Sequence, residues 1–161
     1  MRNGDSIERR AAELVKDFAE DDCLGKAAAA RDRARAAESA GRYDEAWAYY
    51  QEQKKQYMEH AQKNRFTAAQ TLTLDASVSE QLANVLRVEG KHHDAMVHVL
   101  YWISAAQTPT KKQEKKLTAY FRRCKFGAVS EAELQDTVQG LRNNPEYSRM
   151  KSVVDAWRKR G

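Results

Sequence analysis

Two prolines, seven glycines and two cysteines are all this 161-residue chain holds of the residues that most constrain a backbone. With so few breakers, helices are interrupted at only a handful of places. Cys23 and Cys124 lie far apart and make no disulfide framework, so they read as reduced thiols of a cytoplasmic protein. No apolar run approaches the roughly 20 residues that a membrane span needs. The polar start, Met1 to Ser6, leads into no apolar signal core. The chain therefore reads as cytoplasmic, neither membrane-spanning nor exported.

Signatures of catalysis are missing too. There is no Gly-rich phosphate loop, no Gly-x-Ser-x-Gly and no Cys-x-x-Cys. His92, His93 and His98 form one cluster, with His60 apart, and none shows the His-x-x-x-His spacing of a helical metal site. Neither cysteine has a histidine beside it in sequence. Glu131, Glu133 and Asp136 read as ordinary helix-start acids. The expectation is a noncatalytic protein with no metal and no cofactor.

What the chain does hold is helix-forming material. Ala, Glu, Lys, Arg, Gln and Leu dominate. An apolar share of 42% supports a core, and a charged share of 32% supports a well-hydrated surface. The predicted class is all-α. Charge is uneven: residues 1–80 hold 13 Lys+Arg against 15 Asp+Glu, and residues 81–161 hold 15 against 8. The basic second half suits an acidic partner, a nucleic acid or a membrane surface, or is simply a solvated face.

In chain order, Asp5 or Ser6 caps a first helix with the stripe Ile7, Ala11, Leu14 and Phe18. Glu20-Asp21-Asp22 and Gly25 end it. A second, alanine-rich helix runs from about Lys26 to Ala40 and stops at Gly41. A third, about Tyr43 to Lys63, turns Tyr43, Ala46, Trp47, Tyr50, Tyr57 and Ala61 inward. A fourth, about Thr67 to Glu89, ends at Gly90, with Asp75 or Ser77 as a point of interruption. A fifth, about His92 to Ala106, is apolar on most sides and should be the most buried. Thr108-Pro109-Thr110 marks a boundary between a repeat region, 1–107, and a basic three-helix subdomain, 108–161. In that subdomain the sixth helix, about Lys111 to Phe126, buries Leu117, Tyr120, Phe121 and Cys124. Ser130 and Glu133 open a seventh as a capping box. Asn144 and Pro145 open an eighth with the stripe Tyr147, Met150, Val154 and Trp157.

Gly41, Tyr43, Ala46 and Tyr50 resemble the turn glycine, turn aromatic, small contact residue and inner aromatic of a tetratricopeptide repeat. Ala34 stands at the small position of the preceding helix. A second copy is carried by Leu82, Ala83, Leu86, Gly90 and Ala95, with His92 and Val99 in place of aromatics. The resemblance covers residues 26–107. It departs in spacing, because Gly41 and Gly90 stand 49 residues apart against a period of about 34. Longer helices or an insertion around residues 62–75 must fill the difference. The resemblance implies stacked antiparallel hairpins whose groove binds a protein or peptide, as an adaptor, chaperone-like or regulatory module. It places the groove contacts at Arg31, Arg35, Asn84 and Arg87. Two forked cations beside an amide suit an acidic or carboxylate-bearing peptide. The plainer reading is a solvated helix face with local pairing to Glu38.

A rival reading comes from the sixth helix. Lys111, Lys115, Arg122 and Lys125 form one cationic line, with Lys112, Lys116 and Arg123 beside it. Such a line can follow a nucleic-acid backbone. A second copy of the chain is a further candidate partner, since a short stack leaves an apolar face over.

Overall fold

Residues 6–11 and 22–160 are described in the computed structural model. Every regular element among them is helical, and none is a strand. Residues 6–11 are helical, and Ile7 is 67% exposed rather than turned into a stripe. Asp5, Leu14, Phe18, Glu20 and Asp21 lie outside the described residues.

Helix α1 (Cys23–Ser39) starts three residues earlier than its composition predicts. Asp22 is its N-cap and accepts from the Gly25 amide at 2.9 Å. Gly25 therefore belongs to the first turn and stops nothing. A Cβ there would meet the Asp22 carboxylate at 2.0 Å, so this cap needs a glycine. The buried face of α1 is small throughout: Cys23, Ala27, Ala30, Ala34 and Ala37. Small side chains let two helices approach closely. Helix α2 (Tyr43–Lys63) folds back along that face in the most extensive helix–helix contact among the described residues.

The turn between them is set by Gly41, whose φ of +75° is a left-handed conformation. Its amide donates to the Glu38 carbonyl at 3.0 Å, and the Arg42 amide donates to Ala37 at 2.8 Å. These are the two bonds of a Schellman turn. The turn from α4 (Ser79–Val88) to α5 (His92–Ala105) repeats them. Gly90 has φ +79°, its amide donates to Arg87 at 3.0 Å, and the Lys91 amide donates to Leu86 at 2.8 Å. The next helix opens in both cases without a side-chain cap, at Arg42 and at Lys91.

The expected fourth helix is two helices. Helix α3 (Ala68–Ser77) is opened by a complete capping box between Thr67 and Gln70. It ends at Val78, which keeps a helical backbone, is fully buried, and passes directly into α4. The Ser77 hydroxyl donates to the Leu74 carbonyl at 2.6 Å, drawing that end of α3 tight. The 21-residue α2 and the ten-residue α3 together account for the 49-residue spacing of the glycine turns.

Three further helices pack on α5: α6 (Lys111–Cys124), α7 (Glu131–Arg142) and α8 (Tyr147–Arg160). Thr110 and Gln113 close a capping box on α6. Its end is Lys125, left-handed at φ +53°, and not Gly127. Ser130 caps α7 by accepting from the Glu133 amide at 3.1 Å. The Glu133 carboxylate bonds Arg160 instead, so only half of the expected capping box forms. On α8, Met150, Val154 and Trp157 are buried, but Tyr147 is 40% exposed.

Two cores result. A small one joins Ala34, Ala37, Ala46 and Tyr50 to Val78, Leu82 and Val85. A larger one runs from Ala76 to Trp157 and continues across residues 107 and 108 without a break. No described helix is long and apolar enough to cross a membrane.

Gly41→Ala and Gly90→Ala should each cost about 1–2 kcal/mol, because an L side chain is strained at positive φ. Neither Cβ would meet a neighbour, so the cost is the backbone's alone. Gly140→Ala, inside α7 with open space around it, should gain about 0.5–1 kcal/mol. Urea unfolding of the three variants checks both signs.

Candidate functional site

Helix α5 is buried on most sides yet carries His98, Tyr101 and Ser104 among its buried residues. Buried polar groups need partners, and two of these find them on distant helices. The Tyr101 hydroxyl donates to Asp75 Oδ2 of α3 at 2.7 Å. Asp75 Oδ1 also lies 3.5 Å from Lys54 Nζ of α2. Burial raises the Tyr101 pKa first, and the bond to Asp75 raises it further. His98 Nε2 lies 3.3 Å from the Tyr147 hydroxyl of α8. Its ring meets Trp47 of α2 edge-on at 5.7 Å and the Tyr147 ring at 5.2 Å. Burial, with Lys54 adding to it, pushes the His98 pKa down to about 4. The imidazole is therefore neutral at pH 7, and its Nδ1 has no partner among the described residues.

Beside His98 lies a cavity of about 280 Å³. Trp47, Leu86 and Val97 supply apolar wall, and His98 and Tyr147 supply amphipathic rings. Asp94 of α5 and Lys151 of α8 also line it, both from exposed positions. Neither forms an ion pair among the described residues. Asp94 stands close enough to Tyr147 to add to the burial that raises that phenol's pKa.

A second, more open groove of about 550 Å³ runs along α6, with Gln135 of α7 on its far side. Lys111, Lys115 and Arg122 line it together with Glu114. Three of the seven predicted cations thus share one groove. Arg122 is paired there with Glu131 at 2.8 Å. Lys116 bonds Glu80 of α4 at 2.7 Å and lies over the Trp102 ring, and Arg123 lies over Tyr120. Lys112 and Lys125 are exposed.

The four residues assigned to a hairpin groove fall into two pairs. Arg31 and Arg35 lie on α1, and Asn84 and Arg87 lie on α4. Arg87 donates to Asn84 at 2.8 Å, so this pair is bonded within itself. Arg31 Nε is 3.8 Å from Asp32, beyond hydrogen-bond reach, and Arg35 is exposed. Burial raises the Tyr50 phenol's pKa first, the nearby Glu38 raises it further, and Arg35 opposes them. No hydrogen bond or ion pair among the described residues links the α1 pair to the α4 pair, and none of the four lines either cavity.

Both thiols are unbridged and buried. Burial pushes Cys124 up to about 12, and its Sγ donates to the His92 carbonyl at 3.3 Å. Among the described residues no group of three His, Cys, Asp or Glu side chains is placed to hold a metal ion. No protein-family model, no curated protein and no solved structure matches this chain.

His98 predicts an acid-side loss of stability. Its folded pKa lies below the ordinary 6.5, so folding favours the neutral ring. That contribution is complete above pH 6.5 and is lost as pH falls to about 4, about 3 kcal/mol in all. Urea unfolding across this range should show the loss in the native chain and a shallower slope in His98→Gln.

Proposed function

We propose that the chain is a noncatalytic protein- or peptide-binding module built on stacked, tetratricopeptide-like helical hairpins over residues 26–107. The observation that carries this reading is the pair of matching turns at Gly41 and Gly90, with the same two hydrogen bonds at the same lengths. Small residues stand at matching places in both copies: Ala34 with Ala83, and Ala46 with Ala95, all fully buried. A hairpin buries only one of its faces against its mate, so hairpins stack and leave a groove for a ligand. Arg31 and Arg35 share a face of α1 four residues apart, which suits an acidic or carboxylate-bearing segment. Asn84 and Arg87 are the groove contacts that the resemblance implies on α4. A random peptide library selected against the purified protein tests this. Acidic sequences should be enriched, and Arg31→Ala with Arg35→Ala should weaken them about tenfold. No enrichment, or unchanged affinity in the double variant, contradicts the reading.

The alternative reading, nucleic-acid binding by the basic helices 108–161, is favoured by the groove that Lys111, Lys115 and Arg122 share. Phosphate contacts of this kind release counterions, so binding falls steeply with salt. Labelled duplex and single-stranded oligonucleotides titrated at two salt concentrations should then show salt-sensitive binding that Lys111→Ala with Lys115→Ala weakens. An absence of salt-sensitive binding removes this alternative.

A further inference from the structure

We propose that the cavity between α2, α4, α5 and α8 is a binding site for a free apolar α-amino acid in its zwitterionic form. The inference is independent of the partner-binding reading, because it concerns different residues and a small ligand.

The size of the site sets the first limit. At about 280 Å³ it stands at the small end of ligand cavities, which run from about 300 to 1,000 Å³. It suits a molecule of one residue. The lining sets the second. Trp47, Leu86 and Val97 make an apolar wall for a hydrophobic side chain. Tyr147, 40% exposed, adds an aromatic ring to the same lining.

The charges set the third limit. Asp94 lies three and four residues before Val97 and His98, so it shares their face of α5. Lys151 lies four residues after Tyr147 and shares its face of α8. The two charges thus approach the cavity from two different helices, one of each sign. Neither is ion-paired within the described residues, although both line the same space. A simple cation entering here would meet Lys151, and a simple anion would meet Asp94. A molecule with an ammonium and a carboxylate on one carbon satisfies both at once. The floor adds a neutral, polar group: His98 is only 6% exposed, and its Nδ1 has no partner.

Isothermal titration of the full chain with L-leucine, L-phenylalanine and L-tryptophan tests the proposal. The arms are the N-acetyl and the carboxamide forms of each. At least one free amino acid should bind, and each blocked form should bind at least about tenfold more weakly. Asp94→Asn and Lys151→Met should each weaken the free form by a similar factor. Both positions are exposed, so the variants should keep the native circular dichroism. Asp94→Asn should also narrow the gap between the free and N-acetyl forms, and Lys151→Met the gap between the free and amide forms. Three results would overturn the proposal. One is no binding of any free amino acid at millimolar concentration. Another is binding of both blocked forms as tightly as the free amino acid, which leaves only an apolar pocket. The third is full binding by one blocked form alone, which assigns the site to a peptide end: the C-terminus if the N-acetyl form binds, the N-terminus if the amide does.

Discussion

The rest of the molecule depends on the burial of α5. Its Met96, Val99, Leu100 and Ile103 are fully enclosed. Each such side chain contributes roughly 1.5–3 kcal/mol when taken from water. A helix that is apolar nearly all round must be covered from every side. Helices α3, α4, α6, α7 and α8 supply that cover. The basic helices are thereby joined to the first half of the chain through one continuous core.

Burying a helix so completely raises the stakes for its polar residues. An unsatisfied buried group costs about 1–3 kcal/mol. Tyr101 avoids the cost by reaching Asp75, which Lys54 in turn supports. That chain ties α5 to α3 and α2. His98 reaches the other way, to Tyr147 on α8, and lies against Trp47. The two contacts fix the rings around the cavity, and Asp94 and Lys151 follow from the same two helix faces. The candidate ligand site therefore follows from how α5 finds partners for the His98 ring. Lys116 makes a similar link outside the core, from α6 to Glu80 of α4 across the Trp102 ring.

Much of the helical frame is legible in the sequence. Leu117, Tyr120, Phe121 and Cys124 recur at helical spacing, and all four are buried. Gly41 and Gly90 are readable as stops because little else tolerates a left-handed backbone. Gly25 misleads for a related reason: the signal of a glycine does not say whether it ends one helix or makes room for the cap of the next. Val78 is illegible, since it breaks a helix while keeping helical angles and a buried side chain. The cavity is illegible in another way. Periodicity reports which face of its own helix a residue occupies, and it carries no information on which helix comes to meet that face. Tyr147 reads as part of an apolar stripe, but it stands 49 residues from His98, its partner, and at a half-open rim. The charges of Arg31, Arg35 and Arg87 and the amide of Asn84 are readable individually. Whether two helices bring them to one ligand depends on packing that local pattern does not encode.

If α5 is the support shared by the cavity and the basic helices, its amides should open only when the whole chain unfolds. Native-state hydrogen exchange measures this directly. The account predicts that the amides from Met96 to Ile103 are the slowest in the protein. It also predicts that their opening free energy equals the global stability from urea unfolding. Faster exchange in α5 than in α6 or α8, at a free energy well below the global value, would contradict it.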